Sequence, residues 1–128
     1  MKVCVAASSK NLDAQVDPRF GRCPYFLIVD SETMEFSAIP NDSANAAHGA
    51  GIQAAQTVVN LGAKVIITGN IGPNAFSVLS TAGITMVTGV SSSIRDAIEK
   101  YKSGQLQETN NPTVGGHFGM GTGQNRGR

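Results

Sequence analysis

The sequence predicts an α/β fold built on a mixed five-stranded sheet of order 3-2-1-4-5, with helices on its faces. Three observations carry this. Short continuous apolar runs, such as Val3–Ala7 and Val65–Ile67, have the length and residue types of buried strands. From Ile52 onward the apolar positions switch to helical spacing. Gly62 and Gly83 then separate each helical stretch from the next strand-like run, the alternation that parallel strands with right-handed crossovers require.

Taken in order, Val3–Ala7 is the first strand, closed by Ser8 and Ser9. Tyr25–Asp30 is the second, and Met34–Ile39 returns as the third after a short turn at Ser31 and Glu32, ending at Pro40. These two make a hairpin. Ile52, Ala55, Val58 and Val59, with Leu61, form the apolar face of the first helix. Lys64–Thr68 is the fourth strand. Pro73 suits a first helical turn, and Phe76, Leu79 and Ala82 form the stripe of the second helix. Ile84–Thr88 is the fifth strand. Ser93 and Asp96 have capping-box spacing, with Ile94, Ala97, Ile98 and Tyr101 as the buried face of a third helix that Gly104 ends. Residues 1–107 form one domain. Residues 108–128 are dominated by glycine, lack an apolar period and read as a flexible tail carrying His117 and Met120 as soft or borderline metal ligands.

Composition narrows the function. A net charge of +1 argues against a general nucleic-acid or membrane-surface protein, which would carry a basic excess. No apolar run approaches the roughly 20 residues of a membrane span. The first residues lack a signal-peptide layout, so the expected place is the cytoplasm. Two cysteines are too few for a disulfide scaffold. The glycines fit neither the phosphate-binding P-loop nor the dinucleotide fingerprint.

Three motifs carry chemistry. The loop Asp17–Pro24 contains Arg19, Phe20, Gly21, Arg22 and Cys23. His48, Gly49 and Gly51 open the first helix, and Gly69, Gly72 and Asn74 surround the start of the second. Strands one, three, four and five point the same way, so the loop and all three helix starts, with Ser91 near the third, share one edge of the sheet. Open α/β sheets bind ligands outside such strand ends. Helix starts offer free N–H groups, and arginine is a planar anion donor, so the favoured guest is an anion. From spacing alone Arg19 and Arg22 read about equally as anion donors or as plain loop charges, solvated or paired with Asp13 and Asp17. Gly49 and Gly51 fit a close ligand contact or tight packing. Cys23 beside Arg22 reads as an accessible thiol with thiolate character or as a surface cysteine without a role, and Cys4 as a core residue. His48 alone is a weak signal.

These motifs resemble the dinitrogenase iron–molybdenum cofactor biosynthesis family, which includes carriers of nitrogenase cofactor precursors and the molybdenum–copper orange protein. The resemblance spans residues 1–107 and rests on Asp17 with Arg19–Arg22, Pro24–Phe26, His48–Gly51, Gly69 with Ile71–Ala75, Ala82–Ile84, and Tyr101 with Gly104–Leu106. It implies a ribonuclease H-like three-layer fold and a non-catalytic binding or carrier protein. The implied guest is an anionic metal–sulfur cluster of Fe-Mo or Mo-Cu type, with cluster-donor or acceptor proteins as partners. The site residues expected on both grounds are Arg19, Phe20, Gly21, Arg22, His48, Gly49, Gly72 and Asn74, with Cys23 and His48 as metal ligands. Two other classes stand beside this reading. A ribonuclease H-type nuclease would need clustered carboxylates, whereas Asp13, Asp17, Asp30 and Asp42 fall mostly in loops. A small-anion-sensing regulatory module would use the same edge.

Overall fold

The computed structural model describes residues 1–113; His117 and Met120, and with them most of the stretch read as a flexible tail, lie outside the described residues. Five strands form one sheet in the order β3-β2-β1-β4-β5. They are β1 (Lys2–Ala7), β2 (Tyr25–Asp30), β3 (Phe36–Pro40), β4 (Val65–Ile67) and β5 (Thr85–Val87). Strand β2 pairs antiparallel with β1 and β3, whereas β4 pairs parallel with β1 and β5. The helices are α1 (Ala50–Asn60), α2 (Pro73–Thr81) and α3 (Ile94–Lys102). The mixed sheet and its order are those the sequence predicts. Strand β3 begins later than expected, because Met34 takes a left-handed φ of 65° inside the hairpin turn.

Strand alternation splits the core into two layers. Cys4 and Ala6 of β1, Phe26 of β2, Ile66 of β4 and Met86 of β5 face one side, under Ala54, Ala55 and Val58 of α1 and Ala75 and Leu79 of α2. Val3, Val5, Leu27, Val29, Val65, Ile67 and Val87 face the other, under Ile94, Ala97 and Ile98 of α3. The sheet is thus sandwiched between α1 with α2 and α3 alone. Helix α1 buries Ala50 and Ala54 and leaves Ile52 37% exposed, so Ile52 is not the core residue that its spacing suggested.

The long loop after β1 wraps the sheet edge. Its first half buries Leu12 and Val16 in the α3 layer, and its second half buries Phe20 and Cys23 in the α1–α2 layer. Asp17 sits at the crossing. Its N–H donates to Ala6 O at 2.8 Å, and its carbonyl accepts from Gly69 N at 3.2 Å and Thr68 Oγ1 at 3.1 Å. A side chain at Gly69 would place its Cβ 2.6 Å from Pro18 Cα, so this approach of loop to β4 demands glycine. The segment thereby acts as an irregular extension of the sheet, bridging Arg19 to Asn70.

Candidate anion site

At the C-terminal ends of β1 and β4 the loop 18–22 and the starts of α1 and α2 enclose a cleft of about 780 Å³. The volume is that of an ordinary small-ligand pocket. Each helix contributes its first turn. Helix α1 is N-capped by Gly49 in left-handed geometry (φ 72°), and α2 by Gly72 with Pro73 behind it. Neither helix has a side-chain cap or an acidic residue in its first turn. Their first-turn amides and partial positive charge are therefore left facing the cleft.

Gly21 lets the loop reach α1. A Cβ there would stand 2.9 Å from Gly51 N and 3.0 Å from Gly51 Cα, backbone atoms that cannot yield like a flexible side chain. Of the alternatives open for these glycines, the close approach of one stretch of chain to another accounts for Gly21. The contact holds the Arg19–Arg22 turn, closed by Arg22 N–H to Arg19 O at 3.2 Å, against the α1 start.

The two arginines are held differently. Asp17, with a side chain 4% exposed, accepts from the Arg19 backbone N–H at 2.8 Å, from Nε at 3.2 Å and from Nη2 at 3.2 Å. That hydrogen bond, and then the charge behind it, raise the Arg19 pKa, while the Arg19 side chain stays 62% exposed. Asp17 thus orients Arg19 without removing it from the cleft. Arg22 has no carboxylate partner among the described residues. Its Nη1 donates to Ala44 O at 3.1 Å and Ala46 O at 2.6 Å, tethering the segment before α1. Asp13 pairs instead with Arg95.

The cleft gathers most of the expected residues. Arg19, Phe20, Gly21 and Arg22 line it from the loop; Gly49, Gly72 and Asn74 line it from the helix starts. Three expectations differ. His48 is exposed and is not on the cleft wall. Helix α3 starts on the opposite face of the sheet, so its start and Ser91 do not join the other two. Cys23 is fully buried rather than an accessible thiol. Burial first, then the negative field of Asp17, push its pKa up to about 12, and Sγ donates to Phe20 O at 3.3 Å. Arg22 does not confer thiolate character, because Phe20 and Cys23 turn into the core while Arg22 points out. Cys4 is buried in the same layer with its pKa raised by desolvation and by Cys23, and both cysteines are free.

Sequence reasoning missed Asn41. Buried beneath the loop, its Nδ2 donates to Gly21 O at 3.1 Å and Cys23 O at 2.8 Å, and its Oδ1 accepts from Ser43 N and Oγ. The signal was present in the Asn41-Asp42-Ser43 run after Pro40, the composition of an Asx turn. Asn70 and Ile52 also line the cleft unannounced.

Comparison with known proteins bears on the family and the fold. The profile of the family described as dinitrogenase iron-molybdenum cofactor matches residues 1–104. The chain belongs to this family. A protein of Methanocaldococcus jannaschii is 34% identical over 111 residues, covering 84% of this chain and 91% of its own. The apo form of the orange protein from Desulfovibrio gigas superposes with a TM-score of 0.85 at 38% identity, covering 88% of this chain and 95% of its own. The NMR structure of a Thermotoga protein follows at a TM-score of 0.73 and 32% identity, covering 88% and 97%. The family, the fold and the cleft together mark a small cofactor-binding protein. No described helix is long and apolar enough to cross a membrane.

Proposed function

We propose that this protein is a non-catalytic carrier for an anionic, molybdenum-containing metal–sulfur cluster, of Fe-Mo or Mo-Cu type, received from and passed to other proteins in the cytoplasm. The observation that carries the reading is the convergence of two uncapped helix starts and two arginines on one cleft. Such a cradle offers positive potential and N–H donors, which suit the sulfide surface of a cluster. Phe20, Ile52 and Pro73 supply apolar wall for the less charged sulfide faces. Arg19, with Nη1 uncommitted, and Arg22, with Nη2 and Nε uncommitted among the described residues, are the charged clamps. Gly49, Gly72 and Asn74 belong to the helix-start donors.

The donor set favours capture of a complete cluster over assembly on protein ligands. Cys23 is sealed and protonated, His48 stands outside the cleft, and no three His, Cys, Asp or Glu side chains gather among the described residues. A cluster held here keeps its metals saturated by its own sulfide. The nuclease reading needs an acidic metal site, but Asp17, the carboxylate behind the cleft, is spent on Arg19. Nothing in the site favours nucleic acid as a partner.

The test is uptake. Titration of the apo protein with tetrathiomolybdate, alone and with copper(I), should give a saturable change in visible absorption at one site. Protein purified without air from its own host should carry molybdenum and sulfide in fixed proportion to chain. Absence of saturable uptake, together with metal-free native protein, would overturn the reading.

A further inference from the structure

After α3 the described residues 108–113, part of the stretch the sequence reads as a tail, bond back to the rest of the fold. Thr109 N–H donates to Met86 O at 2.6 Å, and Thr109 Oγ1 accepts from Thr88 N at 3.0 Å and lies 2.7 Å from Thr88 Oγ1. This covers part of the β5 edge, which among the described residues has no strand neighbour on that side. Four positions later Thr113 makes three contacts with the Ile71 backbone. Its N–H donates to Ile71 O at 2.9 Å, while its hydroxyl accepts from Ile71 N at 2.8 Å and lies 3.3 Å from Ile71 O.

Ile71 is 1% exposed and lies beyond the end of β4, directly before Gly72, the N-cap of α2. Gly72 has no side chain with which to fix the entry of the chain into the helix. The direction of the Asn74 and Ala75 amides therefore depends on how firmly the preceding backbone is held. On one side Asn70 is bridged to Arg19 and donates to Pro18 O at 3.3 Å. On the other the hold is Thr113. Fixed donors bind a guest better than donors that must be ordered on binding.

We propose that Thr113 is a positioning residue for the anion site: through its paired bonds to Ile71 it fixes the uncapped start of α2, with Thr109 as the anchor of the strap. The proposal rests on the anion-carrier reading above and adds a residue outside the cleft to it. Valine keeps the shape of threonine at position 113 but removes both hydroxyl bonds, leaving the Ile71 N–H without its acceptor.

The experiment compares the full-length wild type, Thr113→Val and Thr113→Ser by tetrathiomolybdate titration and by amide shifts. Outer-shell partners of a ligand site commonly matter by tenfold or more, so Thr113→Val should weaken binding by roughly tenfold. Thr113→Ser should restore it. With both proteins at matched saturation, the ligand-induced shifts at Asn74 and Ala75 should be smaller in the valine variant than in wild type, while those at Ala50–Ile52 persist. A valine variant that binds like wild type overturns the proposal, as does equal shrinkage at both helix starts, which marks a general loss of structure. Failure of serine to rescue also counts against it. If the wild type itself binds no tetrathiomolybdate, the carrier reading falls first and takes this proposal with it.

Discussion

On one face of the sheet α3 begins at Ser93, whose Oγ accepts from Asp96 N at 3.2 Å; Asp96 stands in the first turn, with Lys100 and Lys102 in the last. On the other face α1 and α2 begin at Gly49 and Gly72, with no side-chain cap and no charged residue in the first turn or, at the far end, a basic one in the last. The same chain finishes one helix as stability requires and leaves two unfinished. An N-cap side chain is worth about 1 kcal/mol relative to alanine, and complementary end charges add a few tenths each. These are forgone at two adjacent starts, both opening on one cleft beside Arg19 and Arg22, and under the carrier proposal their donors are kept for the guest.

The largest effect expected from this contrast is at the clamps. Replacing Arg19 and Arg22 together by alanine should weaken tetrathiomolybdate binding by at least ~100-fold, since each charge-assisted bond contributes roughly 1.5–3 kcal/mol. Melting should fall as well, because the Arg22 tether on Ala44 and Ala46 is lost and the buried Asp17 carboxylate loses both guanidinium donors. Retained affinity in the double variant, measured by absorption titration, would leave the helix starts alone or remove the site altogether.

The two faces should also differ in alkali. Both thiols lie in the α1–α2 layer. Folded Cys23 keeps its proton up to a pH of about 12, whereas the unfolded chain releases it near the ordinary value of 9.0. Between those values the unfolded state binds fewer protons, so stability is complete below the lower limit and declines as pH rises towards the upper one. For Cys23 the decline totals roughly 4 kcal/mol across the window. Cys4, raised in the same direction, steepens it. Urea unfolding at pH 8 and pH 10.5 should show a smaller loss in Cys23→Ala than in wild type. In native protein at neutral pH both thiols should resist alkylation until urea is added.

Smaller effects come from exchanging the character of the helix starts. Asn74→Asp gives α2 the first-turn acid that α3 has, so it should raise stability by about 0.3–1 kcal/mol and yet weaken anion binding by roughly tenfold. Ser93→Ala should do the reverse kind of damage: about 1 kcal/mol of stability lost, with tetrathiomolybdate affinity unchanged. Equal effects of the two substitutions on affinity would erase the distinction between the faces.

The faces also show what the sequence could convey. Strand order was legible because apolar runs, helical spacing and the glycine stops alternate, and handed crossovers then leave few topologies. The crossovers β3–α1–β4 and β4–α2–β5 step the same way across the sheet, so handedness puts α1 and α2 on one face. Among the described residues no strand follows α3, so handedness does not set its face, and it takes the one the others leave bare; that is why a third helix start was wrongly expected at the cleft. Within the site, Arg19, Gly21 and Arg22 were legible from residue type. Cys23 was not, because an irregular turn has no fixed period of inward and outward positions, and Arg22 and Pro24 beside it suggested a wet loop. Asn41 and Thr113 were invisible for another reason. Their roles lie in hydrogen bonds to backbone 18 to 42 residues away, which no local pattern encodes.

The central claim, that α1 and α2 but not α3 supply the donors, is tested most directly by backbone amide shifts during titration of the apo protein with tetrathiomolybdate. The account predicts large saturable shifts at Ala50, Gly51, Ile52, Asn74 and Ala75, with the arginine side chains of Arg19 and Arg22, and none at Ile94, Arg95 or Asp96. Shifts centred on the start of α3, or on His48 with the α1 and α2 starts unmoved, would contradict it.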